Sequence, residues 1–69
     1  MEIFSKRLKE LRLEKKLSIA SLADDTGISS SSLCRWENEQ ADIKGAYLII
    51  LAKYFNVSAD YLLGLTNEF

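Results

Sequence analysis

A chain of 69 residues with one cysteine and no histidine must hold itself together by packing alone. One cysteine makes no intrachain disulfide, and there is no Cys/His cluster to close on zinc. A domain this small buries only about 60% of its unfolded surface, so its apolar residues must be spaced efficiently. Proline is absent, and glycine occurs only at 27, 45 and 64. That pattern favours helices joined by short turns. Apolar and polar residues nowhere alternate over a useful length, so no strand is predicted. The expectation is one all-α domain over residues 1–69. The longest apolar run, Ala46–Ala52, falls far short of the ~20 residues that span a bilayer. The opening stretch MEIFSKRLKELRLEKK alternates charge with leucine and does not read as a secretory signal. A soluble, cytoplasmic protein is expected.

Helical spacing organises the chain. Phe4, Leu8 and Leu11 recur at i, i+4, i+7 among charged residues, which predicts a first helix over about 2–15. Leu13 lies off that stripe, either partly exposed or reserved for a partner. Ser18 is a suitable N-cap for a short second helix, Ile19–Asp25, and Gly27 can adopt the left-handed conformation that stops it. Four serines follow, Ser29–Ser32. They look like a loose linker, but they run into Leu-Cys-Arg-Trp-Glu. With Leu33 set to zero and about 100° per residue, Trp36 falls at about 300° and Glu37 at about 40°. Ser31 and Arg35, at about 160° and about 200°, face the other way. Serine costs least at a helix start. The stretch therefore reads as a third helix over 30–37, capped by Ser29, with Leu33 and Trp36 inside and a small, polar, cationic outer face. After a loop at 39–43, a fourth helix is expected over 44–55 with Leu48, Leu51, Ala52 and Phe55 as its core stripe. Asn56 ends it, Val57 joins the core, and Ser58 caps a last short helix over about 59–63.

Charge bears weakly on function. The net charge is −1, which argues against a strong non-specific grip on nucleic acid. Residues 1–38 carry seven basic and six acidic side chains, and residues 39–69 carry two and four. The slight excess of positive charge in the first half points toward a nucleic-acid face there.

Two short helices around a glycine turn, the second with a polar outer face, form the helix-turn-helix pattern, here at about 18–37. The segments LKELRLEKKLSIASLADDTGISSSSLCRWEN and LAKYFNVSADYLLGL, in this order and spacing, resemble the repressor/Cro-type family, also called XRE-type or lambda-repressor-like. The resemblance covers about residues 4–66. It implies a compact five-helix bundle whose third helix lies in the major groove of double-stranded DNA. It also implies homodimers on half-sites about one helical turn (~34 Å) apart.

The resemblance assigns roles residue by residue. Arg35 is the outward cation on the reading helix, and a guanidinium can pair with O6 and N7 of guanine; its alternative is a solvated surface arginine. Ser30 and Ser31 stand at the leading end of that helix, either meeting base edges or simply starting the helix. Cys34 either touches a thymine methyl group or the DNA backbone, or is a bystander. Ser18, Ser29 and Asn38 match phosphate-contacting positions, and the serines can cap at the same time. Arg12 and Glu37 match an internal ion pair tying the first helix to the end of the third. Trp36 belongs to the core. Two departures stand out: Ile19 occupies a position where the family commonly has glutamine, and the loop after RWEN reads Glu39-Gln-Ala-Asp-Ile43, acidic where the family is basic. Lys44, with Lys9 or Lys16, is the expected compensating cation. Tyr47, Ile50 and Tyr54 form a second apolar stripe on the fourth helix, either a homodimer seam or half-buried core flank.

The leading expectation is a sequence-specific DNA-binding transcriptional regulator of bacterial or phage type, a repressor by analogy. The alternative is a protein-interaction module on the same fold, such as an antitoxin, antirepressor or adaptor. No enzyme is expected, since no phosphate cradle and no paired carboxylates in an apolar pocket are present. No metal or other cofactor is called for. Longer members of the family carry a further domain, so the chain is either a whole regulator or a piece of one.

Overall fold

A computed structural model describes residues 2–69, so Met1 of the expected 1–69 domain lies outside the described residues. The chain folds into α1 (Glu2–Glu14), α2 (Ile19–Thr26), α3 (Ser30–Glu37), α4 (Gly45–Phe55) and α5 (Ala59–Leu63), with no strand among the described residues. Helix α1 packs on α3 and α5, α2 packs on α3 and α4, and α4 packs on α5.

Every element contributes to one core. Phe4, Leu8 and Leu11 enter it from α1, Leu22 from α2, Leu33 and Trp36 from α3, Leu51, Ala52 and Phe55 from α4, and Leu62 from α5. Each fully buried leucine is worth about 1.5–3 kcal/mol over an exposed one, and the core has little else to draw on. Ile28, between α2 and α3, is also buried. The turn is thus pinned by an apolar anchor as well as shaped by Gly27. The Trp36 ring meets Phe4 edge-on, with centroids 6.5 Å apart, and lies 5.4 Å from the ring of Tyr47.

The serines cap helices. Ser18, Ser29 and Ser58 are extended, and their hydroxyl oxygens accept the backbone N–H of Ser21, Ser32 and Tyr61. The tract at 29–32 is therefore ordered: its first member caps α3 and the other three form the first turn.

Gly27 and Asn56 end α2 and α4 as expected, while the left-handed turns at Lys16 and Glu39 were not expected from the sequence. Glycines stop α2 and α5, but α1, α3 and α4 turn through Lys16, Glu39 and Asn56, which adopt left-handed φ values of 57°, 59° and 56°. In each case the next N–H reaches back to close the last turn: Leu17 to the Arg12 carbonyl, Gln40 to Arg35, and Val57 to Ala52. This Schellman geometry satisfies carbonyls that a helix end leaves orphaned. Three boundaries shift by one residue. Helix α1 stops at Glu14, before the left-handed Lys16. Helix α2 continues to Thr26, whose hydroxyl donates to the Leu22 carbonyl at 2.7 Å. Helix α4 begins at Gly45, because Lys44 is extended and has no acceptor side chain with which to cap.

Two polar side chains bind elements in ways the spacing did not reveal. Ser5 is buried, and its hydroxyl donates to the Trp36 carbonyl. Arg7 spans from α1 to the C-terminal segment. It donates to the carbonyls of Tyr61 and Thr66 and to Asn67 Oδ1, and its guanidinium sits 4.1 Å from the Tyr61 ring centroid.

Candidate nucleic-acid interface

Helix α3 is held by its inner face. Leu33 and Trp36 are buried, while Ser30, Ser31, Cys34 and Arg35 are exposed. Those four occupy i, i+1, i+4 and i+5, so they form two adjacent rows on one side. Ile19, at the start of α2, joins these four residues in lining an open concavity of about 570 Å³. The arrangement combines a small hydroxyl end, a soft thiol, one guanidinium and one aliphatic wall.

The far end of α3 is clamped. Arg12 Nε donates to Glu37 Oε2 at 2.7 Å, and Arg12 Nη2 donates to Oε1 at 3.0 Å. Its remaining Nη1 donates to the Leu17 carbonyl at 2.7 Å. One guanidinium therefore joins α1, the α1–α2 connection and the last turn of α3. The hydrogen bonding of the guanidinium to Glu37 is the main cause that raises the Arg12 pKa, with burial opposing it and the Glu37 charge reinforcing it. The two side chains are 12% and 6% exposed. In such a setting the pair enforces geometry more reliably than it adds stability. Here the geometry it enforces is the orientation of α3.

The other predicted site residues fall around this face. Ser18 and Ser29 stand exposed at the starts of α2 and α3 with their hydroxyls engaged in capping. Asn38 ends α3, and its amide donates to the Cys34 carbonyl at 2.9 Å and lies 3.4 Å from the Cys34 sulfur. Lys44 is exposed and shares a second depression with Arg35 and Asp42. The acidic loop therefore sits beside the cation of α3.

The stripe expected on α4 divides. Tyr47 and Ile50 remain 40% and 39% exposed, and Ile49, not singled out from the sequence, is 55% exposed. Tyr54 belongs to the packing between α4 and α2. Its ring meets Phe55 edge-on, and its hydroxyl donates to Asp25 at 2.6 Å, which raises its pKa above the ordinary tyrosine value. The exposed large apolar residues of α4 are thus Tyr47, Ile49 and Ile50, with Ile50 between the other two around the helix. The sequence signal that could have found Ile49 is Ala46, Ile49, Ile50 and Lys53 at i, i+3, i+4, i+7, one exposed helix face roughly opposite the core stripe.

A helix-turn-helix family profile matches residues 8–62, from the middle of α1 into α5. The chain belongs to the helix-turn-helix family. This agrees with the repressor/Cro-type resemblance of its sequence. An uncharacterized HTH-type transcriptional regulator of Bacillus subtilis (strain 168), YobD, is 39% identical over 66 residues; the match covers 96% of this chain and 59% of that protein. The chain thus spans about three fifths of the length of this relative. Among solved structures, the P22 c2 repressor protein in complex with synthetic operator 9T superposes with a TM-score of 0.81 at 27% identity, covering 90% of this chain and 94% of the other. The restriction-modification controller protein C.AhdI from Aeromonas hydrophila gives 0.80 at 30% identity, covering 88% and 92%. The five helices read from spacing form the bundle that the family resemblance implied, and no described helix is long and apolar enough to cross a membrane.

Proposed function

We propose that this chain is a sequence-specific DNA-binding transcriptional regulator, a repressor in the simplest case, that reads the major groove with α3. The observation that carries this reading is the outer face of α3. Ser30, Ser31, Cys34 and Arg35 are presented together on a helix whose opposite face is buried and whose end is locked by Arg12 and Glu37. A reading helix needs that rigidity, because base recognition depends on donors held at set positions. The likeness to a repressor crystallised on its operator supports it.

Arg35 is the base-reading cation, directed at guanine; Ser30 and Ser31 meet neighbouring edges directly or through water. The starts of α2 and α3, at Ser18 and Ser29, turn free backbone N–H groups toward phosphates, with Asn38 and Lys44 placing the protein along the backbone. The longest axis of the molecule is 28 Å, shorter than the ~34 Å between half-sites. One copy therefore reads one half-site, and a homodimer joined through Tyr47, Ile49 and Ile50 reads two. The protein works in the cytoplasm on the nucleoid, residues 1–69 act as one DNA-binding domain, and the family is one of DNA-binding regulators, not enzymes.

A protein-interaction module is the second reading. It draws on Glu39 and Asp42 in the loop beside Arg35, which repel phosphate, and on Ile19, which offers phosphate no hydrogen bond. The two readings part in one experiment: selection of bound sites from random DNA, followed by electrophoretic shifts at two salt concentrations. Regulator function predicts palindromic half-sites containing a guanine, steep salt dependence, and a loss of about 1–3 kcal/mol, roughly five- to 150-fold, on Arg35→Ala. Arg35→Ala leaving sequence preference unchanged would refute the assignment of Arg35. No enrichment of any site would favour the interaction module.

A further inference from the structure

The concavity between α2 and α3 has one wall that the proposed reading does not use. Ile19 is the first residue of α2, half-buried against the core, with its remaining surface lining the depression. Cys34, exposed on the reading face, lines the same depression. The Asn38 amide donates to the Cys34 carbonyl and approaches its sulfur, so the thiol is held in place at the end of the cup. Ser30 and Ser31 contribute only short side chains, and Arg35 borders the rim. The result is an apolar recess, walled by an aliphatic side chain and a polarisable sulfur, alongside a guanidinium.

In the major groove one base edge offers an apolar group that such a surface can cover, the C5 methyl group of thymine. An aliphatic side chain at the start of α2 has no use for phosphate but gains from covering a methyl group, and sulfur packs adaptably against carbon. We propose that Ile19 and Cys34 form a methyl-reading cup that selects thymine in the same half-site as the guanine read by Arg35, with Asn38 as the residue that positions the thiol. This rests on the DNA-reading function proposed above and adds a second specificity element to it. It also gives Ile19 a role: it replaces a phosphate contact with a base contact, so part of the binding energy moves from a salt-sensitive to a salt-insensitive interaction.

The test uses the wild-type protein and chemically altered DNA, so it does not depend on a variant folding. In a site obtained by selection, each thymine is replaced in turn by uracil, which removes only the methyl group. One thymine per half-site is expected to show a loss of about fourfold, the size of one buried methyl group, and this loss should change little with salt. In Ile19→Ala and in Cys34→Ser, a surface change, the thymine-to-uracil penalty should shrink toward none while sensitivity to Arg35→Ala persists. Selected sites lacking a fixed thymine, or uracil tolerated at every position with Arg35 dependence intact, would overturn the cup and leave the DNA-reading function standing. A penalty that survives both variants would place the methyl group elsewhere and overturn it too. Absence of any sequence-selective binding would remove the underlying reading, and the cup with it.

Discussion

Replacing Glu39 by glycine should make this protein more stable. Glu39 is exposed, has a left-handed φ of 59°, and closes α3 through its own N–H to the Trp36 carbonyl and the Gln40 N–H to the Arg35 carbonyl. An L-residue with a Cβ atom spends about 1–2 kcal/mol in that conformation. Glycine removes the strain but loses about 0.5–1 kcal/mol more backbone entropy on folding. The net gain is about 0.5–1 kcal/mol, because no other contact of the Glu39 side chain is sacrificed. For a domain of 60–100 residues, each kcal/mol moves the melting temperature by about 4–8 °C, so the shift should be about 2–8 °C. Glu39→Ala is the control: it removes the same carboxylate but keeps the Cβ atom, and should stay within about 0.5 kcal/mol of the parent. Thermal and urea unfolding followed by circular dichroism would measure both, and the urea slope should not change. Lys16→Gly, at φ 57°, should behave like Glu39→Gly. Asn56→Gly should gain less, since asparagine tolerates this region. Glu39→Gly proving no more stable than Glu39→Ala would show that the gain comes from charge, and the backbone argument would be wrong. The two variants also bear on DNA. Both remove an acid from the loop beside α3, so both should bind selected sites more tightly at low salt, whatever their stabilities.

Glu37→Ala strands the Arg12 guanidinium with only the Leu17 carbonyl, and should cost about 3 kcal/mol; the double replacement Arg12→Met with Glu37→Leu should recover much of it, and a coupling energy below about 0.5 kcal/mol in the cycle of that double with its single Arg12→Met and Glu37→Leu variants would mean the pair is not a unit. Ile50→Glu introduces charge among the exposed apolar residues of α4 and should convert a dimer to monomer in sedimentation; a dimer that persists would place the seam elsewhere. Gly64→Ala, at φ 82° with a new Cβ atom 2.7 Å from Ile3 Cγ2, should destabilise by about 1–2 kcal/mol. Gly45→Ala meets no atom within 4 Å and should stabilise by about 0.4–1 kcal/mol; equal melting temperatures for these two variants would contradict the geometry.

Helix-forming information in this chain is local, which is why the five elements and the inward faces of α1, α3 and α4 are readable from spacing. Leu33 and Trp36 lie within one turn of each other, and a period of 3.6 residues suffices to put both inside. Capping is local too: a serine three residues before the N–H it accepts is visible in the chain. Helix termini are less so. Lys16 and Glu39 are not residues that favour a left-handed turn, and they adopt one because the packing of α1 and α3 stops the helices there.

Contacts between residues far apart in sequence were decided by the tertiary structure. Nothing in the spacing brings Arg7 to the carbonyls of Tyr61 and Thr66, Ser5 to Trp36, or Tyr54 to Asp25. The same holds for the recess between Ile19 and Cys34, which exists only once α2 and α3 are set at their mutual angle. A hydrophobic period says which side of a helix seeks the interior. The neighbour it meets there, and the pocket left between two polar faces, depend on how whole helices dock, and docking is a property of the assembled surfaces.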